Sequence, residues 1–176
     1  MTHRQGDVRF AAEIAADPDR IWSTIRDFGR VADWNPVASS SRLVVGTEMK
    51  PGVERELLTA DGMSVLERLT GLDDHARRLD YEMLSFPFPV TEQRNQITVD
   101  QAKNGWSLVT FTASFVAVDG AAIEEIAAIN RNAFAGAADG IGRLLDADVR
   151  PSAGSQERIR AVPKSAHAVP HQPKDC

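Results

Sequence analysis

One change of hydrophobic period constrains this chain more than any other feature. From Val37 to Ala117 apolar and polar residues alternate, broken only by short turn signals at Gly46, Pro51-Gly52, Asp61-Gly62, Asp73-Asp74, Pro87-Phe88-Pro89 and Asn104-Gly105. Alternation is the period of a strand with one wet face. Turns this short cannot carry a parallel crossover, which needs a dozen or more residues, so an antiparallel meander of about six strands is predicted. Then the period switches. Ile123, Ile126, Ala127, Asn130, Ala133, Phe134, Ala137, Ile141, Leu144 and Leu145 recur at steps of three and four, the stripe of one long amphipathic helix.

Ahead of the meander, Val8, Phe10, Ala12 and Ile14 alternate with Arg9 and Glu13 and predict one more strand over Val8–Ala16. Asp17-Pro18 is a helix start, because aspartate caps free amides and proline has no N–H to leave unpaired. Ile21, Trp22 and Ile25 give that short helix its apolar stripe, with Gly29 as its stop. A second short helical segment runs over Val31–Pro36, ended by Asn35-Pro36 since the residue before proline disfavours helix. The fold class is therefore α+β: a curved, seven-stranded antiparallel sheet around a long C-terminal helix, each burying the other's single apolar face.

A chain of 176 residues supports one domain, assigned to 1–150. After Arg150-Pro151 the apolar period is lost, and residues 151–176 hold four of the nine prolines and two of the four histidines. They read as a disordered or loosely attached tail. His167 and His171 stand four apart, but Pro170 between them opposes the helix a metal pair would need. The net charge of -5 divides unevenly: Arg158, Arg160, Lys164 and Lys174 against Glu157 and Asp175 leave the tail at +2 and the body at -7. An acidic body repels phosphate, so no nucleic-acid partner is expected. Cys176 is the sole cysteine, which excludes a disulfide framework and a cysteine zinc site. No apolar run approaches the ~18 residues of a membrane span, and Met1-Thr2-His3-Arg4-Gln5 lacks the apolar stretch of a signal peptide. A cytoplasmic protein without metal or cofactor is the expectation.

Familiar catalytic devices are missing from the sequence: there is no Gly-rich phosphate loop, no Gly-x-Ser-x-Gly and no His-Glu-x-x-His. In the body, His3 lies at the terminus and His75 in the turn Asp73-Asp74-His75-Ala76, where a solvated role outweighs metal binding. The informative residues are polar ones that share the phase of the core. A two-residue loop at Asp61-Gly62 would set Arg55 against Arg68 and Glu56 against Glu67, like against like. A three-residue loop, Ala60-Asp61-Gly62, opposes Leu57 to Val65 and Arg55 to Glu67 and is the predicted register. Val53, Arg55, Leu57 and Thr59 then point inward, facing Met63, Val65, Glu67 and Leu69. Tyr81 is inward with Leu79 and Met83; Gln93 and Asn95 share the phase of Ile97 and Val99; Asn130 falls in the helix stripe beside the small Gly136, Ala137 and Gly140. Each unpaired polar group costs several kcal/mol in a dry core, roughly, so the set predicts a cavity holding water or ligand. Each residue also has a plainer reading, as a structural ion pair, a rim tyrosine or wet strand-end amides.

Several short motifs occur in the order seen in the START-like polyketide cyclase/dehydrase proteins. They are Trp34-Asn35-Pro36, Gly52-Val53-Glu54-Arg55, Glu67-Arg68-Leu69 with Asp73-Asp74, and Pro89-Val90 leading to Ile97-Thr98-Val99. Over about residues 7–147 the chain resembles this superfamily (SRPBCC), which shares the helix-grip fold of the birch pollen allergen and the plant abscisic-acid receptors. The resemblance implies seven strands gripping a long helix around a ligand cavity. It also implies that Asn35, Arg55 and Glu67 are pocket positions, which in the hormone receptors hold a carboxylate and its waters. Asn35 replaces the lysine expected there, Gln93 stands where tyrosine is usual, and the receptors' gate is cut to Ala60-Asp61-Gly62.

Three functions remain open. The first is binding of a hydrophobic, partly oxygenated small molecule by Asn35, Arg55, Glu67, Tyr81, Gln93, Asn95 and Asn130. The second is a cyclase, dehydratase or lyase using Glu67 or Tyr81 as acid or base in the same cavity. The third is a protein-interaction module.

Overall fold

The turn chemistry of the sequence sets the element boundaries of the computed structural model, which describes residues 2–163. Strand β1 (Thr2–Ile14) leads to Asp17, whose carboxylate accepts from Asp19 N at 2.8 Å and caps α1 (Pro18–Ile25). Helix α1 ends at Ile25, four residues before Gly29, which lies instead in a 3-10 segment over Phe28–Asp33 capped by Asp27. Six strands follow: β2 (Ala38–Val45), β3 (Glu54–Thr59), β4 (Ser64–Asp73), β5 (Arg78–Met83), β6 (Val90–Gln101) and β7 (Ser107–Ala117). The long helix α2 (Ile123–Leu145) closes the body; its 23 residues span about 35 Å.

All strand pairs are antiparallel, in the order β2-β3-β4-β5-β6-β7-β1. Hairpin β3–β4 takes the three-residue register, with Arg55 opposite Glu67 and Leu57 opposite Val65. Gly62 turns the chain at φ +86, a backbone conformation glycine adopts without steric cost. Met63, expected inward, is 41% exposed, because it sits where the hairpin leaves the sheet.

The sheet does not stop at β1. Strand β8 (Val149–Pro151) pairs with Ala12–Ile14, and β9 (Gln156–Pro163) pairs with Thr2–Arg9 along the same edge. This corrects the expectation of a loosely attached tail for residues 151–163. The rest of that expectation, with His167 and His171, falls on 164–176, outside the described residues. The physical reason is plain. Strand β9 is held by backbone pairing on an edge, so it needs no buried face and leaves no apolar period in the sequence. Between β8 and β9, Ala11 N donates to Ser155 Oγ and Ser152 N to Ala11 O, fastening the connection to β1.

The core has a filled half and a hollow half. Ile21, Ile25, Leu79, Val99, Val109 and Ile141 are fully buried where α1, the sheet and the C-terminal part of α2 meet. Phe111 and Phe134 stack with ring centroids 5.5 Å apart between β7 and α2. Among the described residues, no helix is long and apolar enough to cross a membrane.

The small residues of α2 do not leave empty space throughout. A Cβ on Gly140 would lie 1.8 Å from the Trp34 carbonyl oxygen, so the segment after the 3-10 turn rests directly on the helix there. At Gly136 the nearest atom is Pro36 Cγ at 3.4 Å. Gly140→Ala is therefore expected to destabilise by about 1–3 kcal/mol through overpacking. Gly136→Ala is expected to be neutral, or stabilising by up to ~1 kcal/mol from helix propensity. Urea unfolding of the two variants checks the contrast.

Candidate functional site

Cross-strand register brings two charges together inside the sheet. Arg55 and Glu67, 4% and 5% exposed, face each other on β3 and β4, with Arg55 Nε donating to Glu67 Oε2 at 2.6 Å. Arg55 Nη1 also donates to the Phe28 carbonyl at 2.8 Å. The guanidinium lies 3.9 Å above the centre of the Phe28 ring and 5.2 Å from that of Tyr81, two cation–π contacts that help offset its desolvation. The Phe28 and Tyr81 rings are tilted against each other at 5.9 Å. The pair is thus held on every side, and its charges cancel.

Tyr81 carries a hydroxyl for which the described residues supply no hydrogen bond. Burial pushes its phenol well above the ordinary value; the Glu67 carboxylate adds to that shift and the Arg55 guanidinium opposes it. The hydroxyl therefore keeps its proton at neutral pH and serves as a hydrogen-bond donor.

A second polar group is built from amides. Gln93 and Asn95, two apart on β6, project from the same face of the sheet. Gln93 Nε2 donates to Asn95 Oδ1 at 3.0 Å and to Asn130 Oδ1 at 2.8 Å, joining β6 to α2. Asn130 Nδ2 in turn donates to the Ile126 carbonyl one turn back, at 3.0 Å. Asn35 is half-buried, and its Oδ1 accepts from Val37 N at 3.1 Å, shaping the turn into β2.

These residues line one cavity of about 670 Å³ between α2 and the inner face of the sheet. All seven predicted site residues, Asn35, Arg55, Glu67, Tyr81, Gln93, Asn95 and Asn130, lie in its wall. Val65, Ile97, Phe111 and Phe134 supply its apolar surface. The mouth is marked by exposed Val37, Met63 and Ile129, from the segment before β2, the β3–β4 turn and α2. Trp34 and Phe88 also line the cavity, and sequence reasoning did not assign them to it. Trp34 was visible as part of Trp34-Asn35-Pro36, but its place depends on the seat at Gly140. Phe88 lies in the loop before β6 and carries no periodic signal.

Other polar features are less suited to a small molecule. Asp74, beside His75, is committed to Trp22 Nε1 and to Arg26, both at 2.8 Å, and His75 is exposed. Both donors hold the Asp74 carboxyl below its ordinary value, Arg26 having the larger effect. A hollow of about 740 Å³ on the sheet face away from α2 is walled largely by polar side chains such as Arg94, Gln96 and Thr112. Its Arg160 pairs with Asp7, and its Arg9 donates to Thr110 Oγ1 and the Gly154 carbonyl.

Residues 5–147 match the family described as polyketide cyclase/dehydrase and lipid transport. Among solved structures, an uncharacterised protein of Bacillus thuringiensis is similar with a TM-score of 0.71 and 27% identity, over 80% of this chain and 99% of that one. The protein XoxI of Bacillus cereus gives 0.65 and 30%, over 80% and 93%. A protein of Thermobifida fusca gives 0.67 and 31%, over 78% and 94%. No functionally curated protein matches the chain.

The Arg55–Glu67 pair supports a test of its own. Removing one partner leaves the other charge buried and uncompensated, so Arg55→Met and Glu67→Leu are each expected to cost about 3–5 kcal/mol. The double variant is expected to cost less than either single one, since both charges leave together. Urea unfolding across the cycle measures the coupling.

Proposed function

We propose, from the premise that the chain belongs to the polyketide cyclase/dehydrase and lipid transport family, that it binds a hydrophobic, partly oxygenated small molecule in the cavity beneath α2. The observation that carries this reading is an apolar-walled hollow of about 670 Å³ with its polar groups gathered in two bonded clusters. Ligand sites have this composition: mostly apolar surface with a few placed polar groups that orient the guest. The volume lies inside the ~300–1,000 Å³ usual for such sites.

The two candidate acid–base groups favour binding over turnover. The Glu67 carboxylate is engaged by Arg55, and the Tyr81 proton is held more tightly than usual. A general acid or base works best with a pKa near the operating pH, and Tyr81 is shifted away from it. Both residues suit orienting roles.

Mass spectrometry of solvent extracts from the purified full-length protein should identify a co-purified hydrophobic molecule. Glu67→Gln then separates binding from turnover. Glutamine keeps the shape of the side chain but cannot ionise, so a binding protein should lose about 1–3 kcal/mol of affinity for that molecule and still bind it. If binding instead survives unchanged while product formation falls by roughly 10²–10⁴-fold, Glu67 is a general acid or base and the binding-only reading fails.

A further inference from the structure

Two side-chain atoms of the cavity wall, Gln93 Oε1 and Trp34 Nε1, are sealed from solvent and have no hydrogen-bond partner. No other side-chain nitrogen or oxygen among the described residues is both sealed and unpartnered. A guest does not reach these two. What it meets are polar atoms that lack a partner and stay open.

Tyr81 Oη is one of them. It has no hydrogen bond among the described residues, it is not sealed, and its residue is half-buried. Burial dominates the upward shift of its phenol, so the surface it keeps lies in the cavity and not in bulk water.

Asn95 Nδ2 is another, and the helix backbone decides that this end of the amide is the free one. The Ile126 carbonyl can only accept, so it takes Asn130 Nδ2. Asn130 Oδ1 then takes Gln93 Nε2, and the same Nε2 fixes Asn95 Oδ1 as an acceptor. What remains at the end of the series is an N–H donor. Tyr81 and Asn95 are direct cross-strand partners on β5 and β6, with both side chains on the inner face. Arg55 Nη2 and Glu67 Oε1 are also unpartnered, but they belong to one ion pair, which leaves an anion no uncompensated cation to meet.

The donors lie deep. Tyr81 stands opposite Leu69, which is six residues along β4 from Met63 at the mouth, a distance of about 20 Å. The mouth itself presents exposed Val37, Met63 and Ile129.

We infer that the ligand is an uncharged hydrophobe bound carbonyl end first, its oxygen accepting from the Tyr81 hydroxyl and its apolar remainder directed toward the mouth. This rests on the binding reading above and names its ligand class and orientation. A phenol can accept as well as donate, but Asn95 Nδ2 beside it can only donate, so a carbonyl suits the deep wall better than a second donor.

The probe is prodan, a naphthalene with a propanoyl group at one end and a dimethylamino group at the other. Its emission moves to the red when the carbonyl accepts a hydrogen bond. The full chain and Tyr81→Phe are titrated with prodan, with the analogue carrying propyl in place of propanoyl, and with the analogue carrying a carboxylate there. Tyr81→Phe loses a hydroxyl that bonds nothing, so its urea midpoint should match that of the unaltered chain. A destabilised or unfolded variant means that the hydroxyl is structural, and it overturns the inference. Prodan is expected to bind the variant about three- to tenfold more weakly and with bluer emission. The propyl analogue should bind both chains equally. Equal losses for prodan and the propyl analogue mean that Tyr81 acts by shape, and unchanged prodan binding means that water meets the carbonyl. Either result overturns this inference and leaves the binding reading intact. Tighter binding of the carboxylate than of prodan overturns the uncharged ligand. Lengthening the acyl group to hexanoyl should weaken binding more than exchanging dimethylamino for dipropylamino, and the reverse order overturns the orientation. If no probe binds, the cavity reading falls, and this inference with it.

Discussion

A curved sheet of seven strands offers more concave surface than one helix can cover. Helix α2 must bury its apolar stripe, and the sheet must bury its inner face, but the two areas do not match. At one end α1 makes up the difference, and Ile21, Ile25, Val99, Val109 and Ile141 close into dry packing. At the other end nothing does. There the helix stands off β3, β4 and β6, and the hollow that remains is the candidate site.

That mismatch explains why polar side chains are tolerated inside. Arg55 and Glu67 would be expensive in the filled half, where no cavity adjoins them. In the hollow half they are bonded to each other and to a backbone carbonyl, with aromatic rings against the guanidinium. The amide cluster of Gln93, Asn95 and Asn130 obeys the same rule and adds direction. Its polarity begins at the Ile126 carbonyl and ends at Gln93, whose Oε1 is buried without a partner. One pair of opposite charges and one neutral chain of amides thus stand in the wall without adding net charge to it.

The upper wall of the cavity depends on a contact made elsewhere. Gly140 lets the Trp34 carbonyl rest on α2, which sets where Trp34, Asn35 and Pro36 stand over the hollow. Asn35 then spends its side-chain oxygen on Val37 N, a structural bond made within the cavity wall. On the far edge, β8 and β9 cover the side of β1 not paired with β7, so the strand that closes the meander is not left as an open template.

Local periodicity carried most of the fold. Alternation, turn residues and the switch to a helical period are written in neighbouring residues, and they located β1 to β7, both helices and the chemistry of the Asp17-Pro18 and Ala60-Asp61-Gly62 turns. The same alternation marked Arg55, Glu67, Tyr81, Gln93 and Asn95 as facing inward, and the helical period marked Asn130, because side-chain direction follows from phase alone. Strand β9 was illegible, since an edge strand held by backbone bonds to β1 needs no apolar pattern of its own. Trp34 as a cavity residue, the use of Gly140 for contact rather than space, and the orphaned oxygen of Gln93 were equally hidden. Each depends on atoms distant in sequence: the Trp34 carbonyl 106 residues from Gly140, or Asn130 Oδ1 at 37 residues from Gln93. The sequence by itself determined which residues turn inward along the regular strands and α2; only the tertiary structure decided which of them meet and which polar atoms stay unmatched, because hydrogen bonding is satisfied between neighbours in space, and no local pattern encodes that.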